Sequence, residues 1–283
     1  TAGESMRNFR SDLIKIFTSG GFYAAVLFML LLLFSSNVYT DNFTNNRYNV
    51  IGALAEIDVS KMFQERELCD KSIMENVFSN WSIAFLPIIS SFCFVPTICA
   101  EREAGAVRYG IFRSSRLKFS VSRYFSGVLC GGLAVALGYA LFCGFVYLNF
   151  PALEDYEAVY GGDGGFSFSL TLLGLFMTSA FWSMPAMVLT SFMRNKYLIM
   201  CIPLFIKYGI SQFVLEESHK AIRDIENIDV GLLNFLSIIS PDAMIHIGRS
   251  PDYIWILVNF GAFSAAFFAI YIIAEGKRGD CGA

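Results

Sequence analysis

Long uncharged windows alternate with short charged segments along the whole of this 283-residue chain. Ile16 to Thr40 and Asn76 to Ala100 each run 25 residues without an Asp, Glu, Lys or Arg. Tyr124 to Leu153 and Gly164 to Met193 each run 30, and Tyr253 to Ala274 runs 22. A helix needs about 20 apolar residues to cross a hydrocarbon core, so each window is long enough. Tyr197 to Leu215 makes a sixth, 19 residues interrupted only by Lys207. The pattern predicts an all-α membrane protein with six transmembrane helices in one domain covering 1–283. The spans fall at about 18–40, 80–100, 124–150, 167–193, 197–215 and 253–274.

The segments between windows refine this. Met6, Phe9, Leu13, Ile16 and Phe17 recur on one helical face, with Arg7, Arg10 and Lys15 elsewhere. That pattern predicts an N-terminal amphipathic helix lying on the membrane surface. In the long segment Asp41 to Glu75, Val50, Ile51, Leu54 and Ile57 recur at helical spacing, which predicts a further amphipathic helix. Val230 to Pro241 is uncharged for only 12 residues, too short to span. It fits a re-entrant hairpin before the last span, or a helix packed on the outer surface.

Composition agrees with the windows. With 55% hydrophobic and 16% charged residues the chain is too apolar for a soluble domain. A net charge of −3 gives no reason to expect nucleic acid. Of the seven Cys, five fall in apolar windows and read as small core residues, so no disulfide is predicted. The first window is long and lacks a small-residue cleavage site, so no cleavable signal peptide is expected.

Charge then orients the spans. Thr1–Lys15, Glu101–Arg123, Arg194–Lys196 and Glu275–Ala283 together carry 13 basic and six acidic residues; the rest carries eight basic and 18 acidic. The excess of Lys and Arg predicts a multi-pass protein of the cytoplasmic membrane with both termini in the cytoplasm. Within the spans, Gly132, Ala136, Ala140 and Gly144, with Gly127 and Gly131, and likewise Gly261, Ala265 and Ala269, let helix backbones approach closely. Packing within one chain is favoured over a seam between two copies. Pro87, Pro96, Pro185 and Pro203 predict kinks.

Catalytic signals are nearly absent. The only histidines are His219 and His246, both in the last outer segment. No phosphate-cradling G-x-x-x-x-G-K-[ST] run occurs. No metal site, bound cofactor or enzyme activity of the chain's own is expected. Lys207 is the one charge inside a span. It is either functional or a Lys whose stem snorkels to the outer interface. Glu101-Arg102-Glu103-Ala104-Gly105 closes the second window. Carboxylates at a helix C-terminus face the negative end of the macrodipole, so helix stability does not explain them.

These residues in this placement resemble the type-2 ABC exporter permeases. Glu101-Arg102-Glu103-Ala104-Gly105 is similar to their E-x-E-x-G element after the second span. Arg108, Tyr109, Arg113, Arg116 and Tyr124 continue the likeness, and Ser237-Ile238-Ile239-Ser240-Pro241 resembles the Ser-Pro element of their outer hairpin. The first outer segment is long for the smaller members, and Asp242 stands where many have an aromatic residue. The resemblance implies a dimer with a second permease copy, in membrane lipid, working with cytoplasmic ATPase subunits that hold ATP and Mg. It implies that Glu101, Arg102, Glu103, Gly105, Arg108 and Tyr109 form a cytoplasmic coupling helix that docks on the ATPase. It places Ser240 and Pro241 in the outer hairpin. Phe85, Phe92, Phe94, Phe205, Lys207 and Tyr208 are candidates to line a substrate path between the second and fifth spans, suited to an apolar peptide, lipid or drug-like molecule. Local pairing of Glu101 and Glu103 with Arg102, Arg108 or a lipid headgroup is the structural alternative. A secondary carrier or channel without an ATPase, or a ligand-binding sensor or immunity protein, are the functional ones.

Overall fold

The computed structural model describes residues 2–41, 46–63, 65–78, 80–107, 115–152, 168–223, 245 and 253–280. The chain opens with helix α1, Ala2–Phe17, followed by α2, Gly20–Ser35. The two are bent by 56° at the intervening residues. Ser19 makes the corner: its hydroxyl accepts from the Phe22 N–H at 3.3 Å, satisfying one of the amides that a helix start leaves orphaned. The predicted face of α1 is turned inward, with Ile16 buried and Leu13 and Phe17 packed against the core.

A small cap follows α2. Strand β1, Asn37–Thr40, pairs antiparallel with β2, Arg47–Asn49, and the Tyr39 and Tyr48 rings stack across the pair. The sequence shows no alternation there and does not predict these strands. Helix α3, Val50–Glu56, forms where the amphipathic helix is predicted, capped by Asn49, whose Oδ1 accepts from Gly52 at 2.7 Å. Val50 and Ala53 are its buried face and Ile51 points outward. Short helices α4, Val59–Met62, and α5, Asp70–Asn76, complete the cap. The cap rests on the far end of the bundle, where the Tyr139 hydroxyl donates to the Met74 carbonyl at 3.1 Å.

The second window departs from expectation. Instead of one helix over 80–100 it forms three: α6, Asn80–Ala84; α7, Leu86–Phe92; and α8, Val95–Glu103. Pro87 and Pro96 each lie in the first turn of the helix that restarts, where a missing N–H is least costly. Two prolines nine residues apart thus divide this window into short helices rather than kink one long helix. Pro185 and Pro203, by contrast, sit inside helices that continue.

Four long helices make the rest: α9, Arg116–Asn149; α10, Phe168–Phe192; α11, Lys196–Arg223; and α12, Tyr253–Asp280. All four are long and apolar enough to cross a membrane, and the bent α1–α2 pair is a fifth candidate. The protein is mostly helical and has the character of a membrane protein. Gly127, Gly131 and Gly132 of α9 serve packing within the chain, whereas Gly144 is exposed and meets nothing. A Cβ on Gly127 would lie 2.7 Å from Met187 Sδ, and one on Gly132 would lie 2.8 Å from the Phe176 ring. Gly261, Ala265 and Ala269 of α12 do not share this role: all three are exposed. Only 11% of the apolar window of α12 and 22% of that of α11 is buried in the chain, against 72% for α10. Surface as apolar as this suits hydrocarbon, not water.

Candidate functional site

The Glu101 segment ends α8 at one end of the bundle, beside the C-termini of α1, α10 and α12 and the start of α9. Its local shape follows from Gly105. The chain leaves the helix with Ala104 and Gly105 donating back to Ala100 and Arg102, and Gly105 takes φ +68°. That left-handed conformation is the usual way to end a helix, and glycine adopts it without a Cβ penalty. Arg108, Tyr109 and Arg113 lie outside the described residues, as do Ser240, Pro241 and the 230–241 segment.

The acidic pair divides. Glu103 is exposed. Glu101 turns into the bundle, where Oε2 accepts from Arg123 Nη2 at 2.8 Å and Oε1 accepts from Lys15 Nζ at 3.2 Å. Arg123 is buried, also reaches the Ile98 carbonyl at 3.4 Å, and lies over the Phe119 ring at 5.5 Å. Glu101 therefore pairs across helices rather than with its neighbour Arg102; Arg108, the other local candidate, lies outside the described residues. Arg102 reaches the last helix instead, donating to Glu275 Oε1 at 3.0 Å. Ser191, near the end of α10, donates to the same oxygen at 2.8 Å, and Arg116 donates to the Glu275 backbone carbonyl.

A third pair closes the cluster. Ser122 Oγ donates to Asp12 Oδ2 at 2.9 Å, joining α1 to α9. Burial pushes the Asp12 carboxyl above its ordinary range; the Ser122 hydrogen bond and the nearby charges of Arg123 and Lys15 oppose that rise. Five helices, α1, α8, α9, α10 and α12, are thus joined at one end through side chains carrying formal charge. Chemically the arrangement can hold those helix ends in register and transmit a push on α8 to the others. Arg123 and Glu275 border the third and sixth uncharged windows, and in sequence they register only as flanking charge.

Lys207 is the second feature. It lies about 16 Å along α11 from Lys196, at the 1.5 Å rise of a helix. That is near the middle of a core about 30 Å thick. Its side chain is buried in the chain at 4% exposure. Nζ donates to the Ile83 carbonyl at 2.5 Å and sits 5.5 Å from the centroid of a Trp182 ring. The Trp182 Nε1 and Ser179 Oγ, both buried on α10, have no hydrogen-bond partner among the described residues. The remaining path candidates do not converge on Lys207. Phe205 and Tyr208 are exposed on the outer side of α11. Phe94 is fully buried, while Phe85 and Phe92 are half-buried, Phe85 against Phe28 with centroids 6.5 Å apart.

The six described cysteines are free thiols. No family model matches the chain, and comparison with curated proteins finds no match.

Proposed function

We propose that this chain is the transmembrane permease subunit of an ATP-binding cassette exporter. In this reading it has six spans, the segmented second one included, and both termini in the cytoplasm. It pairs with a second permease copy and with a separate ATPase that holds ATP and Mg. The substrate is apolar or amphipathic: a peptide, a lipid or a drug-like molecule. The observation that carries the reading is the placement of Glu101–Gly105. This short acidic turn ends a segmented span, and its residues grip α1, α9 and α12 while Glu103 faces outward.

Such a turn suits force transfer. A partner that binds Glu103 and moves it would move α8 as a unit, because the helix is broken before Val95. The pairs from Glu101 and Arg102 would carry that motion to α1, α9 and α12. Bundles with two discrete arrangements convert small shifts at one end into opening at the other. The docking role thus passes to Glu103 and the residues after it, while Glu101 and Arg102 connect the turn to the bundle.

The test is co-purification in mild detergent followed by ATP hydrolysis and transport assays in liposomes. An ATPase subunit that co-purifies, and whose hydrolysis drives substrate movement, supports the proposal. Substrate flux by this chain alone under an ion gradient would replace it with a secondary carrier.

A further inference from the structure

The break between α6 and α7 has a backbone deficit that follows from one residue. In an α-helix the N–H of residue i bonds to the carbonyl of residue i−4. Pro87 has no N–H, and the carbonyl four residues before it belongs to Ile83. The chain passes through the break in near-helical conformation, with Phe85 at φ −83° and ψ −5°. The Ile83 carbonyl is therefore aimed where a helical amide would be, at a depth where lipid offers no replacement donor.

Lys207, 124 residues away in the chain, places its Nζ 2.5 Å from that oxygen. We infer that Lys207 is a positioning residue for the second span: its ammonium replaces the amide hydrogen that Pro87 lacks and holds the α6–α7 break against α11. The chemistry suits the task. A charged donor makes a hydrogen bond roughly twice as strong as a neutral one, and the nearby Trp182 ring favours a desolvated cation. The other break is met differently. Pro96 leaves the Phe92 carbonyl without its helical donor, and there the start of α2 closes in. A Cβ on Gly21 would lie 2.9 Å from the Phe92 oxygen, and Ser19 Oγ, which donates to the Ile16 carbonyl at 2.7 Å, lies 3.5 Å from the Cys93 carbonyl. Both proline breaks of the second span are thus contacted from another part of the chain. The one at Pro87 receives a charge from α11.

This inference does not depend on what the chain transports. A lysine that merely capped the end of α6 would be indifferent to residue 87; one that stands in for its amide would not. The experiment compares full-length wild type, P87A, K207M and P87A/K207M in mixed micelles, reading the unfolding equilibrium by denaturing-detergent titration. The P87A substitution restores an N–H for the Ile83 carbonyl, so it should favour the folded state about tenfold more in K207M than in the wild-type background, the scale of a charged hydrogen bond. Equal effects of P87A in both backgrounds, within about twofold, would overturn the inference, because independent sites add to within that margin. If K207M does not fold, recovery of folded protein in P87A/K207M supports the inference. Failure to recover, with P87A itself folded, rejects it.

Discussion

Glu101 Oε2 lies 2.8 Å from Nη2 of Arg123, and this pair joins the end of α8 to α9. Arg123 is 6% exposed at its side chain and Glu101 is 25% exposed. Removing one partner of a buried pair leaves a desolvated charge behind, and the partial exposure of Glu101 reduces the penalty. Glu101→Ala should therefore destabilise the bundle by about 2 kcal/mol. Lys15→Ala removes only the more exposed contact, at 3.2 Å, and should cost less than about 1 kcal/mol. Denaturing-detergent titrations of the two variants give the ranking; equal losses would contradict it.

Glu103 is the residue whose charge is open to a partner. Glu103→Lys should leave insertion and unfolding as in wild type, since surface substitutions usually change stability by about 0.5 kcal/mol or less. Under the proposed function it should weaken capture of the ATPase subunit by about tenfold, the worth of one good charged contact. A pull-down titration with the purified ATPase measures this. Undiminished capture would move the docking role away from this residue.

Gly105 matters for its backbone rather than its space. A Cβ there would meet nothing within 4 Å, yet φ is +68°. Gly105→Ala should cost about 1 kcal/mol through left-handed strain alone, and Gly105→Asn should cost less, because Asn tolerates this conformation. Thermal unfolding of both variants separates strain from crowding: if Ala and Asn are equally harmful, the conformational account fails.

The parts of the fold that a sequence exposes are those set by solvent. Near-absence of charge over about twenty residues is a local constraint, and it marks the middle of α2, α9, α10, α11 and α12, although α9 starts eight residues before its window and α11 runs eight beyond its own. The spacing of Val50, Ile51, Leu54 and Ile57 likewise marks α3. The β1–β2 pair escapes notice because Asn37–Thr40 lies at the end of an uncharged window, with no alternation to mark a strand. The site is legible in position but not in wiring. Glu101 stands out as an acid at a helix end. Its partners Lys15 and Arg123 are 86 and 22 residues away, and Arg102 and Glu275 are 173 apart. Pairings of that separation depend on how helices pack, which periodicity does not encode. Lys207 is conspicuous as a charge, but its partner is a backbone carbonyl, for which Pro87 is the only trace in the sequence.

Two glycines of α9 should respond oppositely to the same substitution. A Cβ on Gly131 would strike Ser183 Oγ and lie 2.9 Å from the Ser90 carbonyl, a backbone atom that cannot easily retreat. Gly131→Ala should destabilise by about 2 kcal/mol through overpacking. Gly144 meets nothing within 4 Å, so Gly144→Ala should stabilise by about 0.5–1 kcal/mol by favouring the helix. Matched unfolding curves decide it; a stabilising Gly131→Ala would mean that α9 and α10 are not in this close contact.

Asp12 gives the fold a pH dependence whose sign is set by burial. Its carboxyl is raised from the ordinary value of 3.8 chiefly by desolvation. Between that value and its raised one, the folded state holds more protons than the unfolded state. Stability attributable to Asp12 therefore falls as pH rises through this window, and the ionised carboxylate remains a fixed cost above it. This is opposite to the usual behaviour of a salt-bridged acid. Asp12→Asn keeps an oxygen to accept from Ser122 and removes the charge. It should flatten the slope just above pH 3.8 and leave the protein as stable as wild type, or more so, at about pH 7. Unfolding midpoints measured from about pH 4 to about pH 7 for the two proteins test this. A loss of stability near neutral pH in Asp12→Asn would show instead that attraction to Arg123 and Lys15 outweighs desolvation, and that Asp12 works as an ion-pair partner.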